Sequence, residues 1–408
     1  MIYRGKLVQI REQNEQYIMR VRNTGVFYVI DKLTKDIIVY ADMDLNVDEI
    51  TRKLMTKYNL SFYTAYSYVV IVMENLKSET IGYPLEYSVS TPLRVSWRVT
   101  KHCNLKCKHC YAECGPNINF NDLSTEQCLA IINKLDEGEI FEVAITGGEP
   151  FNRGDIKIIL EELSKRKFDI CVFTNATLIN NNIDYLLNLP IRRFNISIDG
   201  FEKEHDSLRG NGAFKRAMDG INLLKNNGKK IIINCVINSL NVENISQIAQ
   251  MFFDNEIEYQ FSLITPLGST LENMNLLPNA EQYKKAIESI KEIILKNKKE
   301  GYILDSSRSK IIKLYDDNTI EEEDDVWSCN AANTKFDIDY NGDVYYCPFS
   351  NASMVGNILD KNVLELWNNP YRNKFLNYIR SSTGHLCNPI KNIINQSLES
   401  YENYELFQ

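Results

Sequence analysis

Between about Leu93 and Leu295 the chain alternates six short apolar runs with six amphipathic stretches, and this alternation constrains the fold more than any other feature of its 408 residues. Runs at 93–100, 141–146, 169–174, 192–198, 230–237 and 258–264 have the length and branched content of strands. Stretches at 124–137, 155–166, 181–188, 213–227, 241–253 and 280–298 carry the helical spacing. Strands that alternate with helices in this way imply a parallel sheet with helical crossovers, an α/β fold. Ligands of such folds gather at the carboxyl ends of the strands. The residues that close each run are therefore the ones to read for chemistry.

The first run is followed by Cys103-Asn-Leu-Lys-Cys107-Lys-His109-Cys110-Tyr111. Three thiolates on one short loop can hold three corners of a 4Fe-4S cube and leave the fourth iron open. A zinc site would need a fourth ligand, His102 or His109, and paired Cys-x-x-Cys knuckles would be its expected form. The second run closes in Thr146-Gly147-Gly148-Glu149-Pro150, the third in Thr174-Asn175-Ala176-Thr177-Leu178, and the fourth in Ile196-Ser197-Ile198-Asp199-Gly200. His205-Asp206-Ser207-Leu208-Arg209-Gly210 and Gly212-Ala213-Phe214 come next.

Together these landmarks resemble the radical S-adenosylmethionine (SAM) enzymes, whose cluster motif is Cys-x3-Cys-x2-Cys with an aromatic residue commonly before the last cysteine. Here His109 holds that place and Tyr111 follows. The resemblance implies a partial (β/α)6 TIM-type barrel over 89–310, a SAM-binding 4Fe-4S cluster on Cys103, Cys107 and Cys110, and SAM itself. It further implies that Gly147, Gly148 and Glu149 receive the SAM amino group, Ser197 lies near the ribose and Arg209 near the carboxylate. Asn175 would contact ribose or substrate, and Val236 would line the adenine with its backbone. Asp199 is expected to orient the loop and not to touch the cofactor.

Residues 1–88 read as a separate module. Strands are expected near Leu7–Ile10, Tyr17–Val21 and Gly25–Asp31, then helices. Asn46 with Glu49 forms a capping box for one helix, with Val47, Ile50 and Leu54 on one face. Ser61 caps the next, whose apolar face is expected to include Tyr68, Ile71 and Val72. Three strands followed by three helices resemble the winged-helix leader-peptide recognition element (PqqD-like) of enzymes that modify ribosomally made peptides. In that family an exposed strand accepts the substrate's leader as an added strand. Winged helices also bind DNA, but twelve Lys/Arg against eleven Asp/Glu in residues 1–95 leave little positive field for phosphates.

The region 311–408 contains Cys329, Cys347 and Cys387, and Phe336 to Cys347 reads as a hairpin turning at Asn341-Gly342. With Gly356-Asn357-Ile358 and Val363 to Trp367 it resembles the auxiliary-cluster extension called SPASM or, when shortened, twitch. A full SPASM domain uses about seven cysteines for two clusters. Three here imply one auxiliary iron-sulfur cluster, with Cys387 alternatively a buried apolar thiol. Cys128, Cys171 and Cys235 fall in predicted helix or strands and are expected in the core, and Cys114 as a spare loop thiol.

A net charge of −8 argues against a nucleic acid as the main partner. No segment is long and apolar enough to cross a membrane, so a cytoplasmic protein with reduced cysteines is expected. The acidic stretch Glu321–Asp325 is expected to be a solvated loop. The combined resemblance implies a sactipeptide synthase-like enzyme that joins a cysteine sulfur to an α-carbon of a ribosomal precursor peptide. Its partners would be that peptide, bound through its leader, and a flavodoxin- or ferredoxin-type electron donor. Epimerisation, a carbon–carbon crosslink and a side-chain thioether use the same parts. A cofactor or haem maturase and an iron-sulfur DNA-binding regulator are further alternatives.

Overall fold

The computed structural model describes residues 2–13, 16–22, 26–77, 83–84, 89–297, 301–304, 309–314, 320–325 and 331–380. Two compact units result: Met1–Leu93 with Glu139–Phe141, and Arg94–Gly138 with Glu142–Gln408.

In the first unit, antiparallel strands Ile2–Arg4, Val8–Gln13, Gln16–Val21, Phe27–Ile30 and Tyr83–Pro84 form one sheet in chain order. Three helices, Lys32–Asp42, Val47–Tyr58 and Phe62–Lys77, pack with it. The Asn46–Glu49 box closes as expected: the Glu49 N–H donates to Asn46 Oδ1 at 3.0 Å and the Asn46 N–H to Glu49 Oε2 at 2.9 Å. Ser61 Oγ accepts from the Thr64 N–H at 3.2 Å, opening the third helix. Of the three residues expected on the buried face of that helix, Val72 alone is buried. Ala65, Val69 and Val72 are buried, whereas Tyr68 and Ile71 are 44% and 54% exposed. The run Tyr68 to Val72 has no polar residue to mark the outward side, so periodicity alone misplaced the stripe. The strand edge expected to be exposed is also partly covered, since Tyr28 pairs with Pro84 and Val29 with Tyr83.

The second unit contains all six expected core strands: Arg94–Arg98, Glu142–Thr146, Asp169–Thr174, Ile191–Ser197, Ile231–Ile237 and Glu258–Leu263. They lie side by side in chain order, every neighbouring pair parallel. Gly301–Leu304 continues the sheet in parallel beyond the sixth, followed by antiparallel Ser309–Leu314 and Ile320–Asp325. The acidic stretch expected as a loop is thus a strand. Its register sets Glu321 opposite Lys313 and Asp324 opposite Lys310.

At the other end Lys335–Ile338 lies parallel to Arg94–Arg98, and Asp343–Tyr345 and Met354–Asn357 follow antiparallel. The expected hairpin turns at Gly342, whose φ of +87° suits glycine. Helices fill the crossovers at Thr125–Glu137, Ile156–Lys165, Ile183–Leu186, Ala213–Asn226, Ile245–Asp254 and Ala280–Asn297. Glu202–Arg209 is an additional helix that periodicity did not predict.

Strand alternation gives the sheet two unlike faces. Val95, Trp97, Val143, Ile145, Ile170, Val172, Phe194, Ile196, Ile233 and Phe261 are fully buried on one. Register places Asp337, Ser96, Ala144, Asn195, Asn234 and Gln260 together on the other.

Candidate functional site

The three cysteines occupy the loop leaving the first core strand, and each sulfur has an N–H aimed at it. The Leu105 N–H donates to Cys103 Sγ at 3.4 Å and the Cys114 N–H to Cys110 Sγ at 3.4 Å. Asn175 Nδ2 approaches Cys103 Sγ and Arg209 Nη1 approaches Cys107 Sγ, both at 3.9 Å. Donors of this kind suit thiolates that carry iron, because hydrogen bonds to cluster sulfurs tune charge and potential. Burial pushes the Cys103 thiol up to about 12 and Cys107 up to about 11, the latter against the pull of Arg209. Iron must therefore displace their protons on binding.

Both histidines considered for a zinc site have Nε2 engaged. His102 Nε2 lies 3.0 Å from the Phe120 carbonyl oxygen, and His109 Nε2 lies 3.2 Å from Asp199 Oδ2.

The Gly147-Gly148-Glu149 turn is stitched to the cysteine loop. The Gly148 N–H donates to the Thr100 carbonyl at 2.8 Å and the Glu149 N–H to that of His102 at 2.9 Å. A Cβ on Gly148 would stand 2.3 Å from the His102 oxygen and 2.9 Å from Cys103 Cβ, so the two loops meet only because this residue has no side chain. Glu149 is fully buried. Its Oε1 accepts from Thr174 Oγ1 at 2.8 Å and the Phe151 N–H at 3.2 Å, and its Oε2 from the Asn175 N–H at 2.8 Å. Burial pushes its carboxyl up to about 7 despite these donors. The side chain ties the second strand end to the third.

Asn175 lies against the cysteine loop, with Nδ2 donating to Asn104 Oδ1 at 3.0 Å and Oδ1 accepting from the Thr177 N–H at 2.9 Å. Ser197 ends the fourth strand, partly buried. Arg209 ends the unexpected helix, and its Nε donates to Asp199 Oδ2 at 2.6 Å. Val236 has both backbone groups engaged: its N–H donates to Asp199 Oδ1 at 2.9 Å and its oxygen accepts from Asn241 Nδ2 at 2.8 Å.

Asp199 is the hub that reading for motifs undervalued. Fully buried, it joins Arg209, His109, the Val236 N–H and, through its own N–H, His205 Nδ1 at 3.2 Å. Burial alone would push its carboxyl up, but Arg209 and His109 hold it far below the usual range. The sequence signal was the position of Asp199 at a strand end ten residues before Arg209.

Near the first strand a second charged group sits on the polar face. Arg98 pairs with Asp339 at 3.0 Å and Lys335 with Asp337 at 3.1 Å. Tyr111, just after the cysteine run, meets Phe349 edge-on with centroids 5.2 Å apart. Phe349 is two residues past Cys347, which is 5% exposed. Cys329 and Cys387 lie outside the described residues. Cys128, Cys171 and Cys235 are core residues as expected, at 1%, 0% and 0% exposure. Cys114 is buried within the cysteine loop and its Sγ lies 3.5 Å from the Ala112 oxygen.

Residues 97–252 match the Radical SAM superfamily and 329–389 the iron-sulfur cluster-binding SPASM domain. Fe-coproporphyrin III synthase of Methanosarcina barkeri is 30% identical over 224 residues, 53% of this chain and 55% of that protein. The chain spans about half the length of the first such relatives. Mycofactocin maturase MftC of Mycolicibacterium smegmatis is 27% identical over 286 residues, 67% of this chain and 69% of that protein. Streptococcus suis SuiB bound to its precursor peptide SuiA has a similar fold, with a TM-score of 0.64 at 18% identity over 96% of this chain and 94% of SuiB. Among the described residues no helix is long and apolar enough to cross a membrane. The chain carries a Radical SAM superfamily domain followed by a SPASM domain, and its cofactors are accordingly a 4Fe-4S cluster, SAM and an auxiliary iron-sulfur cluster.

Proposed function

We infer that the chain is a maturase of ribosomally synthesised peptides that installs a sulfur-to-α-carbon thioether by 5'-deoxyadenosyl radical hydrogen abstraction. The observation that carries a peptide substrate is the chemistry of the polar sheet face. The cations Arg98, Lys335 and Arg209 are each held by an aspartate. The strands beyond offer amide side chains, with Gln260 donating to Asn234 and Asn195 Nδ2 buried without a hydrogen-bond partner. Amides that donate and accept match peptide backbone, whereas a porphyrin's carboxylates call for uncommitted cations.

When bound, the SAM cluster supplies the electron that cleaves SAM. In this reading Cys103, Cys107 and Cys110 hold it, and the Gly147-Gly148-Glu149 turn fixes their loop and offers carbonyls to the SAM amino group. Arg209, oriented by Asp199, faces the SAM carboxylate. Ser197 would lie near the ribose, Asn175 would contact ribose or substrate, and the Val236 backbone would line the adenine. Cys329, Cys347 and Cys387 would hold the auxiliary cluster, which would supply a one-electron acceptor to the site. The first unit, over about 1–88, would bind the leader along a strand edge, and a flavodoxin- or ferredoxin-type protein would deliver electrons.

A second reading, tetrapyrrole maturation, is favoured by the identity to the coproporphyrin enzyme. Anaerobic coexpression with candidate precursor peptides separates the two. Loss of two hydrogens per event with one cysteine protected from alkylation supports the thioether. Unchanged mass with deuterium gained from heavy water means epimerisation. No peptide change, with chemical conversion of an added porphyrin, would replace the peptide reading. Alanine at Cys103, Cys107 and Cys110 together should abolish 5'-deoxyadenosine formation and leave leader binding intact.

A further inference from the structure

Three side chains beside the cysteine loop form a closed ring in which every donor points the same way round. Asn104 Nδ2 donates to Thr177 Oγ1 at 2.8 Å, Thr177 Oγ1 to Asn175 Oδ1 at 2.7 Å, and Asn175 Nδ2 to Asn104 Oδ1 at 3.0 Å. The second hydrogen of Asn175 Nδ2 is left for Cys103 Sγ, 3.9 Å away. The Thr177 N–H also donates to Asn175 Oδ1, at 2.9 Å. Both hydrogens and both lone pairs of the Asn175 amide are thus engaged within the protein. Any contact of this side chain with ribose or substrate is left to its van der Waals surface.

The oxygen and nitrogen of an amide have nearly the same shape, so a partner of fixed character has to orient it. The Thr177 N–H is that partner. It can only donate, so the Asn175 oxygen must face Thr177 and the nitrogen must face Asn104 and Cys103. The backbone brings the threonine round: Ala176, between the two, has a φ of +60°, in the left-handed region that L residues enter at a cost. Its N–H donates to Thr174 Oγ1 at 2.9 Å, which holds the turn. Asn175 and Thr177 are 7% and 9% exposed. In such surroundings chained hydrogen bonds strengthen one another, and a member left unpaired is costly.

We propose that Thr177 and Asn104 are positioning residues for the SAM cluster: they lock the Asn175 amide with an N–H on Cys103 Sγ and so raise the cluster's reduction potential. A donor stabilises a sulfur more strongly as that sulfur gains negative charge, and reduction adds an electron to the cluster. The Leu105 N–H on the same sulfur is backbone and persists whatever side chains the ring holds. The ring is therefore the part that substitution can adjust. The inference rests on the reading that Cys103 ligates the cluster, is independent of the peptide substrate, and adds two residues that act through Asn175.

The test uses the full-length protein with reconstituted clusters as wild type, N175A, T177V and T177S. Electron paramagnetic resonance titration reads the midpoint potential of the cluster whose signal changes when SAM is added. N175A should lower the reduction equilibrium about tenfold, which is about 59 mV for one electron. T177V keeps its N–H and loses its hydroxyl, so it should fall in the same direction by less. T177S, which restores the hydroxyl, should return to the wild-type potential. Iron-free protein supplies a second readout: hydrogen exchange at the Thr177 N–H should be about tenfold faster in N175A than in wild type. Equal potentials in wild type and N175A, equal exchange at Thr177, or a T177S potential no closer to wild type than that of T177V would overturn the ring. C103A separates the two readings. Loss of the SAM cluster in C103A, with the wild-type potential kept in N175A, sinks the ring alone; a full SAM cluster in C103A sinks the ligand reading and the ring with it.

Discussion

Replacing Gly148 by alanine tests whether the contact between two loops, and not any single ligand, holds the radical cluster in place. The new Cβ would lie 2.3 Å from the His102 oxygen and 2.7 Å from its carbonyl carbon. Reaching even 3.0 Å from the oxygen requires a shift of 0.7 Å. Because the obstacle is backbone, no side-chain rotation relieves it. Overpacking of this kind costs about 1–3 kcal/mol. The shift also stretches the Gly148-to-Thr100 and Glu149-to-His102 hydrogen bonds, each worth about 1 kcal/mol. The sum, about 3–5 kcal/mol if both bonds are lost, falls on the residue adjoining Cys103. A misplacement approaching 1 Å can cost on the order of 100-fold in rate. The assay is 5'-deoxyadenosine formation after anaerobic reconstitution, with iron counted per chain. Gly154→Ala is the control, since a Cβ there meets nothing within 4 Å. G148A should lose at least 30-fold in activity and part of its iron while G154A matches wild type. Equal iron and turnover in the two variants would refute the reasoning.

Asp199→Asn should strand the Arg209 charge beside Cys107, a loss of about 3–5 kcal/mol for a broken buried pair. A variant that keeps iron and SAM cleavage within twofold of wild type contradicts the hub. In the first unit Asp36 is buried, and burial would push its carboxyl up. Bonds from Lys35, Lys57 and Tyr58 at 2.7, 2.5 and 2.5 Å hold it below the usual range. Its stabilisation is thus present above the unfolded value of about 3.9 and fades as pH falls through the lower folded one. D36N should speed hydrogen exchange in Lys32–Asp42 at pH 6 and lose that difference near pH 3; a pH-independent difference would exclude the charge. Arg372 donates through Nε to the Ala332 oxygen at 2.7 Å and lies 3.9 Å over the Trp367 ring. R372A should cost about 2–3 kcal/mol. Scanning calorimetry should show R372K recovering less than half of it.

Much of the second unit was legible because two codes coincide there. Each core strand is an apolar run, and each ends in a short polar or glycine motif that has to be local. All six strands were placed to within two residues at either end. The parts that escaped are those in which partners are remote or patterns are weak. Glu202–Arg209 is polar nearly throughout, so no apolar stripe marked it as a helix. The roles of Asp199 and Asn175 depend on partners from other strand ends, which no local pattern displays. The third helix of the first unit offered apolar residues on several sides, and the buried stripe was set by packing.

The parallel pairing of Lys335–Ile338 with Arg94–Arg98 bears on how the molecule can be taken apart. The strand that launches the cysteine loop is an inner strand only because the carboxyl-terminal segment lies beside it. A fragment ending near residue 310 would present Arg94–Arg98 as a raw border. Bare borders recruit other chains. Such a fragment should clump on expression, whatever the integrity of its cluster ligands. The SPASM segment is better regarded as the closing plank of the radical sheet than as an appendage, and cuts intended to isolate catalytic parts belong before Arg94 and not after Leu263.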